Sequence, residues 1–154
     1  MNLIATLLSP ERIRIDLQAN TKSGVFAEAG QIFACSPGLD AAQVAESLAT
    51  REKMGSTGLG HGIALPHARV KGLRQPQAAF MRLRPAIPFD APDGKPVSDL
   101  LILLVPEQAT EAHLQLLAEA VQMFGDRRFR DHLRNQQNAA AVHQAFADWP
   151  AIVT

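Results

Sequence analysis

The sequence is short of several things at once. It contains one cysteine, Cys35, one tryptophan and no tyrosine. A single thiol excludes an internal disulfide and a multi-cysteine metal cage. Cys35 falls at the end of a predicted helix and is expected to act as a small buried hydrophobe. There is no excess charge of either sign, with 15 basic and 15 acidic residues. That balance argues against a dedicated nucleic-acid binder, which normally carries a basic excess. No apolar stretch approaches the ~20 residues of a membrane span. The start, Met1 to Leu8, is too short and lacks the basic residues of a secretory signal. A cytoplasmic protein without membrane insertion is therefore expected. Internal repeats, low-complexity tracts and a domain linker are also missing, so the 154 residues, 47% of them hydrophobic, read as one domain over 1–154.

Three nucleotide and hydrolase signatures are absent as well. No Gly-Lys-Ser/Thr follows a glycine loop, as a P-loop requires. No GxGxxG follows a strand, as a dinucleotide fold requires, and there is no Gly-x-Ser-x-Gly elbow.

What is present is concentrated in residues 51–69, REKMGSTGLGHGIALPHAR. Gly55, Gly58, Gly60 and Gly62, with Ser56 and Thr57, separate a helical pattern from the short apolar run Ile63-Ala64-Leu65, which ends at Pro66-His67. Such a loop lets the backbone approach a ligand closely, and its successive N–H groups can form an anion nest. Gly55, Ser56, Thr57 and Gly58 are the candidate phosphoryl-binding residues. Arg51 and Arg69 bracket the segment with permanent positive charge.

Around this segment the chain alternates between periods. Leu3–Leu8 makes one amphipathic turn stopped by Ser9-Pro10, and Arg12–Leu17 alternates as a half-buried strand does. Thr21 can cap a helix over 22–35, with Val25, Phe26, Ala29, Ile32 and Phe33 inward; Gly24 and Gly30 weaken it. Ser36-Pro37-Gly38 is a turn. A second helix runs from about Asp40 to Met54, with Val44, Ala45, Leu48 and Ala49 inward and Glu46, Arg51 and Glu52 on the surface. Ala78–Arg84 alternates and is ended by Pro85. Asp93-Gly94 turns between Phe89 and Val97, and Leu100–Val105 suits a central strand covered on both faces. Three helices follow: one capped by Thr110, with a stripe of Leu114, Leu117, Val121 and Phe124; one capped by Asp126, with Phe129 and Leu133 inward; and one from about Asn138 to Trp149. Strands alternating with helices give a mixed α/β layer structure.

His67 can be a nucleophile at neutral pH, because an imidazole titrates close by. Alternatively it is a strand-end histidine satisfied by a backbone carbonyl. His113 sits at offsets of four, seven and eleven from Leu117, Ala120 and Phe124, and so is expected on the packed side. There it either approaches His67 or is a core histidine with a polar partner. Arg51, in the last turn of its helix, complements the helix dipole at the least. His61 and His67 are six apart, but no third and fourth ligand appears at a compact spacing, so neither a metal nor any other cofactor is expected. His132 and His143 read as surface or boundary residues. Arg127, Arg128, Arg130 and Arg134 read as a solvated face balanced by Asp126 and Asp131.

The run from Arg51-Glu52 through Gly55-Ser56-Thr57-Gly58-Leu59-Gly60-His61-Gly62-Ile63-Ala64-Leu65-Pro66-His67 closely resembles the active-site signature of the enzyme IIA domains of the fructose/mannitol class of the bacterial phosphotransferase system. Leu7–Arg12, Pro88–Ala91, Leu104–Pro106 and His113–Ala118 resemble that family too, so the likeness covers nearly the whole chain. It implies an α/β fold, a mixed β-sheet flanked by helices on both faces. It implies that His67 takes a phosphoryl group from an HPr-type phosphocarrier, that His113 is a second active-site histidine and that Arg51 lies near the phosphoryl group. His61 falls where the family varies and receives no role. Within the family the chain is most similar to nitrogen-regulatory IIA proteins, which report phosphorylation state to potassium-transport regulators and sensor kinases. The alternatives are a fructose- or mannitol-type IIA component that passes the group to a IIB domain, and a non-catalytic binding module. A homodimer is left open.

Overall fold

The computed structural model describes residues 2–36, 38–108 and 110–150. A six-stranded mixed sheet forms its centre. In chain order the elements are α1 (Leu3–Leu7), β1 (Leu8–Leu17), α2 (Lys22–Phe33), α3 (Ala41–Lys53), β2 (Gly58–Gly60), β3 (Ile63–Ala64), β4 (His67–Val70), β5 (Gln77–Ile87), β6 (Val97–Pro106), α4 (Glu111–Gly125), α5 (Arg127–Arg134) and α6 (Ala139–Asp148). The sheet order is β1-β5-β6-β3-β2, with β4 also on β6. β1 runs parallel to β5, β5 antiparallel to β6, and β3 and β4 both run parallel to β6.

Alternation along β5 and β6 divides the core in two. Ala79, Met81 and Leu83 with Leu100, Ile102 and Leu104 face α2 and α3. Ala78 and Phe80 with Leu101, Leu103 and Val105 face α1, α4, α5 and α6. A strand buried on both faces must be apolar at every position, which is why the run 100–105 has no polar residue. On the second face Phe80, Phe124, Phe129 and Phe146 pack as tilted and edge-on ring pairs with centroids 5.3–6.1 Å apart, the arrangement the ring quadrupoles favour. On the first face α2 and α3 pack so closely that a Cβ on Gly30 would lie 2.3 Å from the Ala41 carbonyl oxygen. Gly30 is a weak helix former kept by that crossing.

Several elements differ from the sequence expectation. The first strand starts at Leu8 and runs through Ser9-Pro10; β1 is an edge strand, where a proline is tolerated. Pro85 does not end β5, which continues to Ile87. The proline falls in the interval where the pairing with β6 shifts register. The Ile63–Leu65 run is not one strand carried to His67 but two short ones, β3 and β4, separated at Leu65-Pro66, where proline has no N–H to offer. The α4 stripe is out of phase: Leu116, Ala120, Met123 and Phe124 are buried, while Leu114 and Val121 are 59% and 48% exposed. This helix is apolar around most of its circumference, so periodicity offers two phases. Cys35 is exposed. Glu52 and Arg130, expected on the surface, are buried. Pro37, the middle of the expected 36–38 turn, lies outside the described residues.

Candidate active site

The segment before His67 is held by side chains that sequence periodicity assigns to solvent. Glu52, in the last turn of α3, turns inward across the glycine loop. Its carboxylate accepts from the Thr57 hydroxyl at 2.7 Å and from the Thr57 N–H at 3.2 Å. Lys22 reaches the same carboxylate at 2.9 Å and Asp90 at 2.9 Å, with its ammonium 4.8 Å from the centroid of the Phe89 ring. Ser56 donates to the Phe89 carbonyl at 2.7 Å and accepts from the Gly58 N–H at 3.1 Å. Gly58 has no room for a side chain, because a Cβ would stand 2.9 Å from Ala91. Gly55 has φ +154°, and its N–H is taken by the Glu52 carbonyl.

These bonds correct the anion-nest expectation for Gly55, Ser56, Thr57 and Gly58. The amides of Gly55, Thr57 and Gly58 are spent within the loop, and none of the four residues lines the cleft at His67. The segment is a rigid support for the strand that follows it.

His67 opens β4, paired with Leu103 of β6. Pro66 breaks the ladder just before it, and the Leu65 carbonyl lies 2.9 Å from His67 Nδ1. A carbonyl only accepts, so Nδ1 carries the proton and Nε2 keeps its lone pair. One nitrogen is satisfied by the backbone, as the structural alternative expects, and the other is left as a base. Burial is the main influence on the ring and lowers its pKa. The hydrogen bond to Leu65 and the charge of Glu52 raise it, Arg51 lowers it, and the outcome lies below the ordinary histidine value.

A cleft of about 680 Å³ opens beside His67, between α3, β4 and α4. Arg51, His67 and His113 all line it, so the structure brings the three principal candidates to one place. Arg51 donates to the Gly55 carbonyl at 3.1 Å, which uses one of its five N–H groups and leaves the others for a ligand. His113 is half-buried at the third position of α4 and is not a core residue. Its Nδ1 accepts from the Thr110 N–H at 2.9 Å, which puts the proton of the neutral ring on Nε2. The two histidines therefore present complementary nitrogens: a lone pair on His67 and an N–H on His113. Arg69, exposed on β4, also lines the cleft, and so do Ser47 and Thr50 on the outer face of α3. Met54, Leu114 and Leu117 supply its apolar part. Sequence reasoning missed Lys22 and the inward turn of Glu52. The signal available was Glu52 five residues before a threonine in a glycine loop.

His61 is elsewhere, in a turn with φ +58°, its N–H held by Asp93 at 2.9 Å. Among the described residues no group of three or more His, Cys, Asp or Glu side chains gathers as a metal site would need. No described helix is long and apolar enough to cross a membrane.

Known proteins resemble this chain in sequence and in fold. The chain is 41% identical over 143 residues to a nitrogen regulatory protein of Pseudomonas aeruginosa, covering 92% of this chain and 93% of that one. It is 34% identical over 148 residues to one from Bradyrhizobium diazoefficiens, covering 96% and 97%. The crystal structure of nitrogen regulatory protein IIA-Ntr from Neisseria meningitidis superposes with a TM-score of 0.88 at 42% identity, over 94% of this chain and 99% of that one. A family model described as phosphoenolpyruvate-dependent sugar phosphotransferase system, EIIA 2, matches residues 6–149. The chain belongs to the EIIA type-2 family of the phosphotransferase system, and nitrogen regulatory IIA proteins are among its most similar relatives in that family.

Proposed function

We propose that this protein accepts a phosphoryl group from an HPr-type phosphocarrier onto Nε2 of His67 and signals its phosphorylation state to regulatory targets. The observation that carries the reading is the hydrogen bond from His67 Nδ1–H to the Leu65 carbonyl. It fixes the tautomer and leaves one basic nitrogen, in a cleft that also holds Arg51 and His113.

In the transfer, the Nε2 lone pair attacks the phosphorus of a phosphohistidine on the carrier. The Nε2–P bond forms as the carrier's N–P bond breaks, and the carrier's imidazole leaves with that electron pair. The donors for the three equatorial oxygens are the free N–H groups of Arg51 and the Nε2–H of His113. Positioning and fixed charge supply the rate. As attack turns the His67 ring cationic, the Leu65 carbonyl stabilises the Nδ1–H. The step is reversible because one phosphohistidine replaces another. No metal takes part, so transfer in EDTA proceeds at the untreated rate; loss in EDTA with recovery on adding Mg²⁺ contradicts this.

A doubly charged group on His67 changes the field across the mouth of the cleft, and a partner that reads that surface is switched by it. The nitrogen-regulatory relatives favour regulatory partners, with potassium-transport regulators and sensor kinases as the classes to test, and action in the cytoplasm.

The experiment is intact-mass spectrometry after incubation with phosphoenolpyruvate, enzyme I and an HPr-type carrier, on wild type and His67→Ala. One acid-labile phosphoryl group gained by wild type alone supports the proposal. No gain from either sugar-branch or nitrogen-branch donors rejects it. Onward transfer to a IIB domain distinguishes a sugar-uptake component from a regulator.

A further inference from the structure

The basic residues of α5, which the chemistry at His67 does not use, meet a second cleft of about 460 Å³. Lys95, Arg127, Arg130 and Arg134 bring four fixed positive charges to it, against the carboxylate of Asp131 in the lining and that of Asp93 beside Lys95. In a chain whose formal charges cancel, this is a local excess. No residue lines both this cleft and the one at His67.

The walls are built and held. Asp93 accepts from the His61 N–H at 2.9 Å and from the Lys95 N–H at 3.1 Å, tying together the two turns that form one side. Opposite them α5 is fixed from within. Arg82, paired with buried Asp99, donates to the Leu133 and Gln136 carbonyls at 2.9 and 2.7 Å. Arg130 is buried and donates to the Phe124 carbonyl at 2.8 Å. Arg134 donates to the His61 carbonyl and joins the two sides. His61 keeps φ +58° in this frame, a left-handed conformation uncommon for residues other than glycine.

The cationic heads are not neutralised in place. Arg127 meets Asp131 at 3.7 Å with both side chains largely exposed, a pair worth little in water. The Lys95 ammonium has no hydrogen-bond acceptor among the described residues. Like charges held together in one concavity are relieved by a bound anion. Guanidinium forks match phosphate oxygens in particular. No phenylalanine, tyrosine or tryptophan lines the cleft, and its concentrated positive charge is the feature that selects a ligand. The volume exceeds that of one phosphate. The four cations outnumber the carboxylates of Asp131 and Asp93, so the wall favours a multiply charged anion such as a diphosphate group.

We propose that the cleft between the 61–62 turn, residues 95–96 and α5 binds a small molecule bearing a diphosphate, recognised through its phosphate oxygens alone. The source of that group is inorganic pyrophosphate or a nucleoside diphosphate.

Isothermal titration calorimetry with sodium pyrophosphate on the intact protein tests this, at low ionic strength where such contacts are least screened. Wild type and His67→Ala bind at one site with equal affinity, and the Lys95→Ala/Arg127→Ala variant binds at least tenfold more weakly. ADP binds as tightly as pyrophosphate, and sulfate at least tenfold more weakly than either. In ¹H–¹⁵N spectra of wild type, pyrophosphate shifts the amides of His61, Gly62 and Lys95. The proposal is overturned by absence of pyrophosphate binding, by unchanged affinity in the double variant, by sulfate binding equally well, or by ADP binding where pyrophosphate does not. Saturation by an acidic peptide without any pyrophosphate binding overturns it in favour of a protein-docking patch. Both substituted side chains are remote from the His67 cleft, so phosphoryl acceptance by the double variant stays at the wild-type rate whichever way the binding result falls.

Discussion

His67 is a weak base by placement, and that suits a nucleophile. Burial holds its pKa below the ordinary value, so the ring keeps its neutral form to a lower pH than a free histidine does. The linkage to stability has a definite sign. The unfolded ring, with pKa ~6.5, takes up a proton more readily than the folded one. Folding stability therefore falls as pH drops through ~6.5, and the loss stops growing once pH is below the folded pKa; at higher pH the ring contributes no such loss. Urea midpoints measured against pH are expected to decline less steeply in that window for His67→Gln than for wild type. Equal slopes reject the assignment. Arg51 bears on the same ring from the other side, since its charge lowers the His67 pKa. Arg51→Ala is expected to raise the His67 titration midpoint in NMR and to slow phosphoryl transfer by about 10²-fold, the usual cost of a lost charge-stabilising donor. Slower transfer with an unmoved midpoint separates the two effects and removes the electrostatic one.

At the scale of elements, the glycine segment owes its shape to a buried carboxylate. Glu52 is 8% exposed and bonded to Thr57 and Lys22. Glu52→Ala leaves the Thr57 N–H and hydroxyl without their acceptor and Lys22 without its inner partner. The expected loss is about 3 kcal/mol in a denaturation experiment, with slower phosphoryl acceptance because the loop no longer holds His67 in register. Stability within 1 kcal/mol of wild type counts against the network. This part of the site was hidden in the sequence for a physical reason. Periodicity places Glu52 on the polar side of α3, and its burial depends on Lys22 and Asp90, thirty or more residues away along the chain. That Arg51 and His67 line one cleft was easier to expect, because they lie within one short segment where local backbone chemistry decides. The anion nest was misjudged for the complementary reason. Glycines and hydroxyls announce a loop with free amides, but whether those amides are free depends on Glu52 and on the packing of Ala91.

Across the whole molecule the layering was legible. A fully apolar strand, β6, between alternating and helical segments requires a sheet covered on both faces, and the two halves of the core confirm it. The phase of α4 was not legible, and the misplaced residues explain why. Leu114, 59% exposed, and Met54, 78% exposed, are apolar side chains left at the mouth of the His67 cleft. An exposed leucine on an otherwise well-packed helix misleads a periodicity argument, which assumes that apolar side chains point to the core. Apolar side chains ringed by polar ones form the centre of a transient interface, and under the proposed function Leu114 and Met54 would meet the phosphocarrier. Placing a charge there opposes docking while leaving the fold alone, since neither side chain belongs to either half of the core. Leu114→Asp is therefore expected to keep the wild-type denaturation midpoint within about 0.5 kcal/mol. It is expected to raise the KM for the phosphorylated carrier about tenfold, the effect of about 1.4 kcal/mol lost from an interface, with kcat little changed. A loss confined to kcat would place Leu114 in the chemistry and not in the docking surface.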